Sequence, residues 1–262
     1  MSDLHTFRAV VQYDGTDFAG YQWQHGVRTV QGELERAISQ RCSLAGRITA
    51  AGRTDTGVHA LGQVISFSGS TPVPLDKLTV SINSVLNQDI SISRVDVVQN
   101  EFNARFSASS RTYVYLILNT DTRSALYRRY STHVKAKLDT SAMQLAAGYL
   151  IGEQNFASFA NELKPDQTPW RDVMRCDVVT RRQLVFVRIE ANAFLRGMVR
   201  NIVGTLIDVG KGKRTADCIP EIIAKEDRRS AGPCAPPQGL CLARVSYGVR
   251  KLYNAHSLDT KE

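Results

Sequence analysis

Hydrophobic positions along the chain follow two periods, and the switches between them predict alternating strands and helices. Residues 7–13 (Phe-Arg-Ala-Val-Val-Gln-Tyr) read as a strand that stops at the turn pair Asp14-Gly15. Residues 30–41 take a helical spacing through Val30, Leu34, Ala37 and Ile38, with Thr29 placed to cap the first turn. Residues 63–67 predict a second strand, 75–86 a second helix, and Ile90, Ile92, Val95 and Val97 a third strand. From Thr112 to Leu118 almost every residue is apolar or aromatic, so this strand is expected to be buried on both faces. Helical spacing returns at 139–150. Two strands, Val173–Thr180 and Leu184–Glu190, are joined by Arg181-Arg182-Gln183. Residues 194–209 give the clearest helix, with Gly210 as its expected stop, and Leu240–Tyr247 a last strand. The segments 119–131, 160–171 and 226–239 read as loops.

About four strands and two helices per half is the order of split β-α-β units, so an α/β chain of the α+β type with a mostly antiparallel sheet is expected. The halves divide at 1–107 and 108–262, without an internal sequence repeat.

Charge separates the halves. The net charge of the 262-residue chain is +8. Residues 1–107 hold nine Lys/Arg against ten Asp/Glu, and residues 108–262 hold 24 against 15. A basic second half points to a polyanionic partner such as nucleic acid. Five scattered cysteines form no CxxC pair and lie at no zinc-ligand spacing from a histidine, so free thiols in a reducing cytoplasm are expected. No signal peptide or membrane-spanning run is expected.

The densest chemistry lies at residues 51–60, where two glycines bracket Arg53 and Asp55 in a loop between two predicted strands. Asp55 can serve as a nucleophile if kept ionised, or simply make a turn. The 194–209 helix offers Arg196 and Arg200, one turn apart, as counter-ions; each would be costly beside so apolar a face without a partner, unless it reaches water. His59 is a candidate base, with a structural hydrogen-bonding role as the commoner alternative. Tyr113, at a strand start, could stack on an extruded base, and Tyr115 reads as a core residue. Gly210-Lys211-Gly212-Lys213 fails the phosphate-loop pattern, so no nucleotide cofactor is assigned.

Five ordered blocks resemble the tRNA pseudouridine synthase A (TruA) family nearly end to end. They are residues 13–24 with 29–32, 52–60, 102–108 with 111–113, 194–204, and 235–240. The resemblance implies a pseudouridine synthase fold of two ferredoxin-like halves around a central cleft. It implies a cofactor-free, metal-free homodimer that isomerises uridine at positions 38, 39 and 40 of the tRNA anticodon arm. Asp55 falls on the essential aspartate, Arg200 on its paired arginine, Tyr113 on the tyrosine at the target base, Arg53 on the arginine of the same loop and Leu240 on a pocket wall. In residues 159–170 this chain has Ala160 and Gln167 where many relatives are basic, so the loop's tRNA contacts do not carry over.

The reading expects Asp55 to be held dry against a guanidinium on the floor of an RNA-sized groove. The carboxylate would act at C1′ or C6 of the uridine, or remove a proton, and Tyr113 is a candidate base for the C5 proton. Two other readings compete: a non-catalytic RNA-binding protein of related fold, and a small-molecule hydrolase using Asp55.

Overall fold

The computed structural model describes residues 4–248. Alternation in β1 (His5–Tyr13) buries Phe7, Ala9, Val11 and Tyr13 on one face. The helix α1 (Val30–Ser39) starts at Thr29, whose hydroxyl accepts from the Gly32 N–H, and it buries Leu34, Ala37 and Ile38. Two short strands, β2 (Ser43–Leu44) and β3 (Thr49–Ala50), precede β4 (His59–Ser70). Then come α2 (Leu75–Asn83), β5 (Ile90–Val98), β6 (Ala108–Asn119), β7 (Thr132–Val134), α3 (Thr140–Gly148) and β8 (Gly152–Asn155). The chain continues through β9 (Trp170–Arg181), β10 (Leu184–Ala191), α4 (Met198–Gly210), α5 (Cys218–Lys225) and β11 (Leu240–Tyr247).

The result is an α+β protein with eleven strands and five helices among the described residues. The strands form one mixed, mostly antiparallel sheet in the order β5-β1-β4-β11-β6-β10-β9-β8, with β2 and β3 on β4 and β7 on β6. Parallel pairing occurs between β6 and β7 and between β4 and β11, the latter only at Cys241–His59 and Leu242–Ala60. The catalytic-loop candidate runs directly into β4 at this short seam. One continuous core packs the helices onto the sheet. No described helix is long and apolar enough to cross a membrane, and all five cysteines are free thiols.

Three expectations need correcting. The outer face of β6 is not fully covered: Tyr113, Tyr115 and Ile117 are buried, whereas Val114 and Leu116 are half-buried. With Leu61 and Phe186 they line an open groove of about 460 Å³. The apolar run thus marks a sheet with one packed and one open face. The 194–209 helix begins only at Met198, because Gly197 sits in the left-handed region at φ 74° and turns the chain there. Arg196 therefore lies outside the helix. At the other end Gly210 is still helical, and the left-handed residue is Gly212, at φ 68°. The sequence reading missed α5 inside an eight-residue span containing Pro220, although proline is tolerated in a first helical turn.

Candidate active site

The loop that carries Asp55 is fixed by five residues. Tyr13 Oη lies 2.8 Å from Thr54 Oγ1, and the Tyr21 N–H donates to the Thr54 carbonyl at 3.0 Å. Gln63, fully buried, donates to the Gly52 carbonyl at 2.6 Å and accepts from its N–H at 3.4 Å. The Val58 N–H closes a turn on the Asp55 carbonyl at 3.1 Å. Within that turn Gly57 takes φ 77°, a conformation that strains a residue with a Cβ. Asp55 is thus presented from a rigid base, the condition for a group that must meet a substrate in one geometry.

The fifth restraint is Arg111 on β6. Its guanidinium is buried and makes five hydrogen bonds to four carbonyls: Ala51 twice, at 3.0 and 3.2 Å, Ala108 at 3.2 Å, Asn192 at 2.8 Å, and Arg105. Among the described residues no carboxylate pairs with it. Burial depresses its pKa from the ordinary arginine value, with charged neighbours only modulating that. One side chain therefore clips the start of the Asp55 loop, the 105–108 turn and the end of β10 together.

Arg200, in the first turn of α4, faces Asp55. Its Nη1 lies 3.4 Å from Asp55 Oδ2. Its Nε donates to the Ala235 carbonyl at 2.7 Å, and the Ala235 N–H donates back to the Arg200 carbonyl at 3.0 Å. That loop can lie against α4 because Gly204 has no side chain: a Cβ there would sit 1.6 Å from the Pro233 carbonyl oxygen. The Arg200 side chain is 18% exposed and that of Asp55 37%. The expectation of a dry carboxylate is therefore not met. Asp55 is countered by a guanidinium but open to solvent on one side, which leaves it reachable by a macromolecular substrate.

Tyr113 lies beside the same loop. A methyl group at Gly52 would sit 3.7 Å from its hydroxyl, and Phe194 packs edge-on against its ring at 5.0 Å between centroids. Among the described residues nothing hydrogen-bonds that hydroxyl. Burial pushes its pKa up, and the neighbouring Tyr13 and Asp55 push the same way. The phenol is therefore a donor rather than a proton acceptor, which works against Tyr113 as a base. Leu240 is buried at the head of β11, opposite Tyr115 in register. Arg53 is exposed, with no hydrogen bond or salt bridge to a described residue.

Not every charged candidate converges here. Arg196 points to the 160–169 loop and pairs with Glu162 at 2.7 Å. His59 is a brace: its Nδ1 accepts from the Gly15 N–H at 3.0 Å, and its Nε2 lies 2.8 Å from the Arg129 carbonyl and 3.2 Å from that of Gln238. Tyr115 is fully buried, as expected, and donates to the Pro236 carbonyl at 2.8 Å. Ala160 is buried too, which takes it out of any RNA contact.

A family model described as tRNA pseudouridine synthase matches residues 9–107 and 146–248. A tRNA pseudouridine synthase A of Syntrophomonas wolfei subsp. wolfei is 41% identical over 244 residues, covering 93% of this chain and 98% of the relative. One of Methylococcus capsulatus is 43% identical over 237 residues, covering 90% of this chain and 88% of the relative. This chain belongs to the tRNA pseudouridine synthase A family. A solved H/ACA ribonucleoprotein bound to a substrate RNA containing 2′-deoxyuridine is 14% identical, with a TM-score of 0.35 over 77% of this chain and 44% of that one. That likeness is too slight to argue from.

For a family member read from sequence, the residues hardest to see were the supporting ones. Arg111 and Gln63 make their contacts across 60 and 11 positions of chain. Arg111 fell in the 111–113 block but just ahead of the expected strand, and Gln63 at the head of another, so neither position showed which segments it would hold. Ala235 lies in the 235–240 block, but it contributes a carbonyl, which any residue would supply, so its residue type did not reveal that contact.

Proposed function

We propose that this protein isomerises uridine to pseudouridine at positions 38, 39 and 40 of the tRNA anticodon arm, with Asp55 as the nucleophile. The observation that carries this reading is the Arg200 guanidinium 3.4 Å from a carboxylate that remains reachable from solvent, in a chain of this family. The reaction breaks the N1–C1′ bond, turns the uracil, and joins C5 to C1′ with loss of the C5 proton. The target base must first leave the stack, at a cost of a few kcal/mol. Contacts from the basic second half to phosphates offset that cost. Arg200 balances the charge on Asp55 while the base departs. Tyr113, protonated and with no hydrogen-bond partner among the described residues, donates to the extruded uracil, and Leu240 bounds its pocket. Arg53, exposed and without a partner among the described residues, meets the RNA backbone.

The halves at 1–107 and 108–262 would each supply part of this site, Asp55 from the first and Tyr113, Arg200 and Leu240 from the second. The resemblance also supports a homodimer working in the cytoplasm without cofactor or metal.

The test is release of tritium from tRNA labelled at uridine C5, using substrates with a single uridine among positions 38, 39 and 40. Release from each of the three is expected. Binding without release would favour a non-catalytic RNA-binding protein instead.

A further inference from the structure

One exposed group beside the Asp55 loop has no role in the chemistry above. Phe106, in the turn between β5 and β6, is 78% exposed. Leaving a phenylalanine in water forgoes the gain of burying it. Single exposed apolar residues are common, but this one stands on an unusually rigid turn. Asn103 Oδ1 accepts from the Arg105 and Phe106 N–H groups at 2.9 and 3.1 Å. The Asn103 N–H donates to Ser107 Oγ at 3.1 Å, and the Ser107 N–H returns to the Asn103 carbonyl at 2.9 Å. The Ala104 N–H donates to Ser66 Oγ at 3.0 Å, and Tyr247 Oη donates to the Ala104 carbonyl at 2.8 Å. The turn is therefore ordered before any partner arrives.

Its position is tied to the site. Arg111 Nη2 donates to both the Arg105 carbonyl and the Ala51 carbonyl, so the Phe106 turn and the start of the Asp55 loop share one anchor atom. The Arg105 guanidinium lies 5.3 Å from the Phe106 ring centroid and has no hydrogen bond or ion pair to a described residue. An outward aromatic ring beside a guanidinium that has no ion pair to a described residue is a surface on which unpaired bases stack and phosphates settle.

We propose that Phe106, flanked by Arg105, is a stacking platform for an unpaired tRNA base next to the target uridine. The inference rests on the proposed function and deepens it. Stacking reads only a base's π-face and so tolerates any sequence. That suits an enzyme proposed to act at three neighbouring positions.

The test compares wild type with Phe106→Ala, Phe106→Leu and Phe106→Trp. Each protein is measured for melting temperature, for tRNA Kd across a salt series, and for single-turnover tritium release. Unchanged melting is expected, because the ring is exposed. Phe106→Ala and Phe106→Leu should both weaken tRNA binding about 5- to 150-fold, with the slope of log Kd against log salt unchanged because no phosphate contact is lost. Phe106→Trp should bind as wild type does. Wild-type affinity in Phe106→Leu, or in Phe106→Ala, overturns the platform, since apolar bulk or nothing at all would then suffice. If all four proteins bind tRNA but none releases tritium, the isomerase reading fails. If all four bind and release alike, only the platform fails.

Discussion

Arg111→Met tests whether one buried guanidinium holds the site's parts together. The substitution keeps the apolar stem and removes all five hydrogen bonds to the Ala51, Arg105, Ala108 and Asn192 carbonyls. A hydrogen bond to a charged donor contributes about 1.5–3 kcal/mol net, but the five do not add. Removing the charge also removes the desolvation cost that depresses this arginine's pKa. Some of the freed carbonyls regain water. The net loss should be about 3 kcal/mol, near the low end of what breaking a buried charged network costs. For a chain of this size that is a fall of roughly 6–12 °C in melting temperature. Because Ala51 begins the Asp55 loop, kcat should fall more than tRNA affinity does. Thermal unfolding and single-turnover tritium release measure both. A melting temperature within about 2 °C of wild type together with an unchanged kcat would refute the idea that Arg111 clips these segments.

Gly204→Ala should lower melting temperature and kcat together, because a Cβ 1.6 Å from the Pro233 carbonyl displaces the loop that holds Arg200; a variant indistinguishable from wild type in both would contradict this. Tyr113→Phe should slow turnover about 2- to 15-fold, the worth of one neutral hydrogen bond, whereas a loss above about 100-fold would restore the phenol as the base. Asp96 is pushed up by burial but pulled down further by hydrogen bonds from Arg8 and Arg94, so its folded pKa lies below its unfolded one. Its stabilising effect is then complete at neutral pH and lost as pH falls below about 4. Acid unfolding of Asp96→Asn should consequently be less steep than that of wild type, and parallel curves would count against the pairing.

How much of this was legible in the sequence depended on the range of the interaction. Thr29 and the Leu34–Ala37–Ile38 stripe placed α1 correctly, because a cap and a helical period act over a few residues. The strand at 240–247 matched the sequence reading at both ends. The start of α4 was misplaced because Phe194 and Leu195 continue the apolar pattern, while the left-handed Gly197 breaks the helix behind it. That shift also separated Arg196 from Arg200, which the sequence had offered as equals. Asp55, Tyr113 and Arg200 were recognisable as one group through ordered motifs. Their distances depend on a sheet that brings residues 145 positions apart within 3.4 Å. The solvent-open side of Asp55 was misjudged, since exposure belongs to the assembled surface rather than to any local pattern.

The central claim is that the Asp55 carboxylate does the chemistry and does not merely shape the loop. Purified Asp55→Asn keeps the side-chain volume and removes the charge. With C5-tritiated tRNA it should bind like wild type and release no tritium above background. Release at a rate near that of wild type would show that the reaction proceeds without the carboxylate, and the mechanism would have to be rebuilt around another group.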